Sequence, residues 1–378
     1  MIIKNALVFE EDKTFSQKDI FITEDHFSSV AKNTNPETLD GSGLYAIPGL
    51  IDIHFHGCMG YDFCDASSEA IHEIAKYEAS AGVTSICPAT MTLGTDMLKR
   101  IMQTAADYSK NPASEREASF VGINMEGPFI SEAKKGAQAS EHIQLCNVSL
   151  FQELQRDADG LIKLVDIAPE NDGAMEFIDK LKEDVGISLA HSTANYDIAD
   201  AAYKHGARHA THLYNAMPPF SHRDPGIVGA AFDNSHVKVE LICDGVHLHP
   251  ATVRAAFQLF GDDRIILISD SMRATGLSDG EYTLGGQAVT VRGKYATLSE
   301  GGSLAGSVTN LMDCLRTVVR DMHLPLESAV ACATMNPAKA IGIYDTYGSI
   351  TNGKSADLIL LDSNLDIKAI FLRGKQIL

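Results

Sequence analysis

Positive charge is scarce in this sequence. Its 31 lysines and arginines face 50 aspartates and glutamates, a formal charge of −19. Such a surface repels nucleic acid and anionic membrane, so neither is expected as a partner. A small anionic ligand would need a local cationic pocket. Paired cysteines are lacking too. Cys58, Cys64, Cys87, Cys146, Cys243, Cys314 and Cys332 are odd in number, and no two stand at Cys-x-x-Cys spacing. That pattern argues against a disulfide scaffold and fits reduced thiols in a cytoplasmic protein. No run nears the roughly 20 apolar residues that span a bilayer. Residues 1–7 lack the apolar core and cleavage site of a secretion signal. Solenoid repeats and low-complexity tracts are missing as well.

What is there is a large apolar fraction, 45% of 378 residues, enough for one big domain with a smaller companion. Residues 1 to 48 read as short strands with polar turns, and residues 345–378 look alike. Two strand-rich ends suggest a small β-sandwich domain built from both termini. Between them, residues 49–344 alternate apolar strands with helical stretches. The expected strands are 50–55, 84–89, 120–125, 162–168, 187–190, 209–213, 237–242 and 264–269. Helices are expected over 67–81, 95–109, 173–184, 195–205 and 250–260. Eight alternations predict an α/β protein, a (β/α)8 TIM-type barrel. The strands are continuous apolar runs, as when both faces are covered. A doubly wound open sheet is the rival. It explains less well why chemically active residues end so many strands. Two segments interrupt the alternation: a polar loop over 127–147, and 272–306 with hairpin-like pieces. Long loops at a barrel mouth shape a ligand site.

Six residues stand at the C-terminal ends of five separate strands: His54 and His56, Glu126, His191, His212 and Asp270. A parallel barrel gathers such ends at one mouth, so distant residues can share an ion. Neutral imidazole suits Zn, Fe, Co or Ni. One histidine of the 14 could reach a strand end by chance; four histidines, a Glu and an Asp on several strands do not. Asp270 caps the next helix, pairs with an arginine, or carries a proton beside an activated water. Its place opposite the histidines favours the last. His209, three before His212, reads as structural.

These segments resemble the amidohydrolase superfamily, and within it the deacetylases of phosphorylated amino sugars. The likeness rests on Pro48-Gly-Leu-Ile-Asp-Ile-His-Phe-His-Gly57, Glu126-Gly-Pro-Phe129 and His191-Ser192. It continues through Thr211-His-Leu-Tyr-Asn-Ala-Met217, Asp244-Gly-Val-His247, Ser269-Asp-Ser271 and Leu304-Ala-Gly-Ser307. It implies a divalent metal, Zn or Fe, with one or two ions per subunit. Glu126, His191 and His212 would hold the main ion. His54 and His56 would complete a second site bridged by Glu126. Many relatives bridge their metals with a carboxylated lysine ending the fourth strand. Here that strand ends Asp166-Ile-Ala-Pro169, so Glu126 takes over that duty. Substrate contacts implied by the resemblance are Ala137, Asn215, Ala216, Arg223, His247, Leu304, Ala305 and Gly306. Arg223, with a planar fork of donors, suits a phosphate. In the family it reaches across from a neighbouring subunit, which implies a homodimer. Some members carry a histidine after the Ala137 position, where this chain has Gln138.

The implied reaction is hydrolysis of the acetamide of N-acetylglucosamine 6-phosphate to glucosamine 6-phosphate and acetate. A metal-activated water would attack, with Asp270 as general base and then acid. A different amidohydrolase, opening a cyclic amide or deaminating a base, is the nearest alternative. The missing strand-four lysine and the presence of Arg223 argue against it. A non-hydrolytic sugar-phosphate binder with a structural metal is the alternative from another class. Structural zinc sites close all four positions, usually with Cys; three ligands leave room for water.

Overall fold

The apolar runs in the middle of the chain form parallel strands, most of them shorter than the pattern suggests. A computed structural model describes residues 1–31, 36–111 and 113–378. Three of the strands, Leu50–Asp52, Val83–Ile86 and Ser119–Phe120, make one parallel sheet. Six more make a second, in sequence order: Ile123–Met125, Ile162–Ile167, Gly186–Leu189, His209–Ala210, Lys238–Ile242 and Ile265–Ile268. The expected strand 120–125 is therefore split at Val121-Gly122. A Cβ on Gly122 would lie 2.4 Å from Lys163 Cγ, so only glycine allows this approach. The two sheets are bonded to each other. Asn124 N donates to Pro88 O (3.0 Å), Asp270 N to His54 O (2.9 Å) and His56 N to Ser271 O (2.7 Å).

Alternation along the strands sorts the side chains into two cores. Leu50, Val239, Leu241, Ile265 and Leu267 join the large cluster under the helices. Their neighbours Ile51, Ile53, Ile242, Ile266 and Ile268 join a separate inner cluster. Both sets are fully buried, which is why the strands read as unbroken apolar runs. The helices expected from the sequence form over Ser68–Ser80, Thr95–Ser109, Ala174–Leu181, Tyr196–His205 and Pro250–Phe260. Side-chain caps start several of them: Ser67 accepts from Ala70 N, and Asn195 from Ile198 N. Among the described residues, no helix is long and apolar enough to cross a membrane.

Strands from the two ends of the chain share one eight-stranded sheet. Leu358–Leu361 pairs antiparallel with Tyr45–Pro48, and Ile2–Phe9 pairs with both Phe15–Thr23 and Tyr45–Pro48. Where two facing sheets were expected, the described strands form a single hydrogen-bonded sheet. Ile3, Val8, Ile20, Leu358 and Phe371 belong to its own core. The 272–306 insertion is a three-stranded antiparallel sheet, Gly280–Leu284, Gln287–Arg292 and Tyr295–Leu298. It packs Leu284 and Val289 on Met91 and Met272.

Candidate metal centre and active site

Glu126, His191, His212 and Asp270 each stand one or two residues past a strand end. His54 and His56 lie just beyond Leu50–Asp52, outside the strand rather than within it. His191, His212 and Asp270 have φ of 44°, 29° and 49°. Side-chain-bearing residues enter this left-handed region rarely, and holding one there costs about 1–3 kcal/mol. Three such residues at strand ends of one sheet mark a place where the fold imposes the geometry.

The side chains converge on one carboxylate. Glu126 Oε1 lies 3.0 Å from His191 Nε2, 3.2 Å from His212 Nε2 and 3.5 Å from His54 Nε2. Its Oε2 lies 3.4 Å from His56 Nε2. Asp270 Oδ1 is 3.3 Å from the same His56 nitrogen. Two groups of three result, Glu126–His191–His212 and His54–His56–Glu126, whose ligand atoms all lie within 4.8 Å of one another. Burial opposes the charge on Glu126. The imidazoles of His191, His212 and His54 around it more than offset that, and its carboxyl is held well below the usual range.

The other ring nitrogens decide what these imidazoles offer. His191 Nδ1 donates to Lys134 O at 2.8 Å, and His54 Nδ1 faces Glu240 Oε2 at 3.0 Å. A neutral ring that donates from Nδ1 carries its lone pair on Nε2. His191 Nε2 and His212 Nε2 are only 3.1 Å apart, and both face Glu126 Oε1. His54 Nε2 is buried with no hydrogen-bond partner. Lone pairs crowded against a carboxylate repel, and a cation among them removes the conflict. Nitrogen and oxygen donors in this ratio suit a borderline divalent ion, so the residues fit a metal.

A cavity of about 310 Å³ opens over the cluster. His56, Glu126, His191, His212 and Asp270 line its floor, while His54 is fully buried beneath. Ala137, Asn215, Ala216, His247, Leu304 and Gly306 line its walls, and Ala305 is buried behind them. Asp244 Oδ2 holds His247 Nδ1 at 2.8 Å. Burial works against a charge on that imidazole; the Asp244 carboxylate prevails and its pKa is raised. Arg223 is not brought into the cavity of its own chain. It is exposed, beside Asn195 and Asp197 in a separate cleft.

Several supporting residues escaped the sequence reading. Glu240, fully buried, accepts from His54 Nδ1 (3.0 Å), His209 Nε2 (2.9 Å) and His212 N (3.2 Å). A lone acid inside the apolar run Val237-Lys-Val-Glu-Leu-Ile-Cys243 was the available signal, since a buried charge must be paired. The Lys134 carbonyl and the apolar wall of Met91, Ile242 and Leu284 left no such trace. Cys58 is buried away from the cavity, and burial pushes its thiol far up, so it offers no thiolate.

The profile described as Amidohydrolase family matches residues 45–377. The chain belongs to the amidohydrolase family. Its relatives include the N-acetylglucosamine-6-phosphate deacetylase of Bacillus subtilis (strain 168), 37% identical over 381 aligned residues, which cover 99% of this chain and 96% of that one. The N-acetylgalactosamine-6-phosphate deacetylase of Escherichia coli O157:H7 is 32% identical, over 87% of this chain and 86% of its own. Among solved structures, a variant of the Mycobacterium smegmatis N-acetyl-D-glucosamine-6-phosphate deacetylase, in complex with N-acetyl-D-glucosamine-6-phosphate, superposes with a TM-score of 0.92. It is 30% identical and the match covers 100% of this chain and 99% of that one.

Proposed function

We propose that this chain hydrolyses the acetamide of N-acetylglucosamine 6-phosphate, giving glucosamine 6-phosphate and acetate. The observation that carries the reading is the convergence of Glu126, His191, His212 and Asp270 in one cavity. The relatives' names supply the substrate. Glu126, His191 and His212 would hold a divalent ion, Zn or Fe. His54 and His56 would hold a second, sharing Glu126. A bound ion supplies the acidity that makes water nucleophilic at neutral pH and a positive charge for the acetyl oxygen.

The remaining work falls to the chain's own residues. Asp270 accepts the proton that the attacking water loses. It then delivers that proton to the nitrogen as the C–N bond breaks, so the amine leaves neutral. His247 and Asn215 face the sugar, with Ala137, Ala216 and the segment Leu304–Gly306 around it. Arg223 would take the phosphate in the site of a neighbouring subunit, which makes the working unit a homodimer. Its exposed position, outside the cavity of its own chain, supports that role. The two parallel sheets are read as one (β/α)8 barrel over 49–344. The sheet of 1–48 and 345–378 is read as the small second domain. Unpaired thiols are consistent with a cytoplasmic enzyme.

Acetate release from the phosphorylated sugar tests the reaction; ammonia release instead would point to a deaminase. The same assay on N-acetylgalactosamine 6-phosphate separates the two activities named among the relatives. The dephosphorylated sugar should react with a kcat/KM at least about 100-fold lower. Two lost charge-assisted hydrogen bonds of about 1.5–3 kcal/mol each account for that. Equal efficiency on both sugars would remove the phosphate from the recognition scheme.

A further inference from the structure

Gln138 sits on the loop that follows Glu126, and neither a metal ligand nor a substrate contact has been assigned to it. It is 2% exposed. Its Nε2 donates to Glu126 Oε2 at 2.7 Å. Its Oε1 accepts from Thr92 N at 2.6 Å. The second bond fixes the first. A flipped amide would set its oxygen against a carboxylate oxygen and its NH2 against an N–H. The backbone of Thr92 therefore dictates that a donor faces Glu126.

That donor has a specific consequence. The last torsion of a glutamate is soft, so an unheld carboxylate turns freely about it. Here Oε1 faces His191, His212 and His54, while Oε2 faces His56 and Gln138. The amide locks that split and adds no charge of its own. The same loop also serves a second ligand. Lys134 O accepts from His191 Nδ1 at 2.8 Å, Ser131 N donates to His191 O at 2.9 Å, and Lys134 Nζ reaches Met217 O at 3.2 Å. Ala133, Gly136 and Ala137 of this loop line the cavity.

We infer that Gln138 is a positioning residue for the metal centre, holding Glu126 so that its two oxygens address the two ligand groups separately. The inference rests on the proposed hydrolase reading for its relevance to turnover, but it is read out by metal retention alone. Gln138→Met keeps the length and removes the donor; Gln138→Ala removes both; Gln138→His keeps an N–H. Chelator competition on the purified full chain, followed by elemental analysis, measures how tightly metal is held. The Met and Ala variants should hold it about 10- to 100-fold less tightly, the range for loss of a partner to a metal ligand. The His variant should recover most of the loss. The metal-free Met and Ala variants should melt somewhat below the metal-free parent, because Thr92 N loses its acceptor, and the rise on adding metal should shrink beyond that loss.

A Met variant that resists chelator as well as the parent overturns the inference. So does a metal-free midpoint that falls as far as the metal-loaded one, which would make Gln138 a packing residue. The Ala variant carries the test should the Met variant fail to fold. Failure of the parent to release acetate would strike the hydrolase reading instead and leave the chelator ranking readable.

Discussion

Asp270→Asn should lower kcat by about 10²- to 10⁴-fold, the range for loss of a general acid–base, while metal content stays at the parent level. Asparagine keeps the shape and the hydrogen-bonding reach but cannot take up a proton. The backbone at 270 is held independently of the side chain. Its N–H donates to His54 O at 2.9 Å, and its carbonyl accepts from Ser307 N at 2.7 Å. The substitution therefore leaves the left-handed turn in place. Ionisation suits the role too. Burial pushes the Asp270 carboxyl up, but the hydrogen bond from His56 and the charges of His54 and His56 prevail, and the net direction is down. At neutral pH the group is a base ready to accept. Steady-state acetate release with metal analysis of the same sample checks the prediction. Turnover within tenfold of the parent would remove Asp270 from the proton-transfer role.

Glu240→Leu should destabilise the metal-free protein by about 3–5 kcal/mol, the cost of breaking a buried charged network by removing one member. Against a typical total of about 5–15 kcal/mol, that is a large fraction. Leucine strands the ring N–H groups of His54 and His209 and the backbone N–H of His212. Burial raises the Glu240 carboxyl, yet the charges and hydrogen bonds of His54 and His209 hold it far below the ordinary range. A depressed folded-state value places this stability above the unfolded pKa. The difference between parent and variant should be full at neutral pH and shrink as the pH falls below the ordinary carboxylate range. Urea unfolding at two pH values measures it. A loss under about 1 kcal/mol would mean the network contributes little.

The positions of the candidate metal donors were legible because strand ends are a sequence feature. An apolar run followed at once by His or Glu needs no tertiary knowledge to notice, and a parallel sheet forces such ends to one side. The strand lengths were not legible. His54 and His56 were expected on a strand, and they lie beyond it, because backbone bonds to Ser271 and Ala89 replace the ladder there. The third strand is split at Val121-Gly122, where the chain lies close to Lys163, a residue some forty positions on.

Sequence by itself determined the alternating architecture, the family, and the set of side chains able to meet an ion, since periodicity and residue type are written locally. Tertiary structure alone decided which groups hold those side chains still. Gln138 on Glu126, Lys134 O on His191, and Glu240 between His54 and His209 are contacts between segments up to 186 residues apart. Hydrogen-bond geometry operates over 3 Å of space and takes no account of separation along the chain, so such partners exist only once the strands have closed around them.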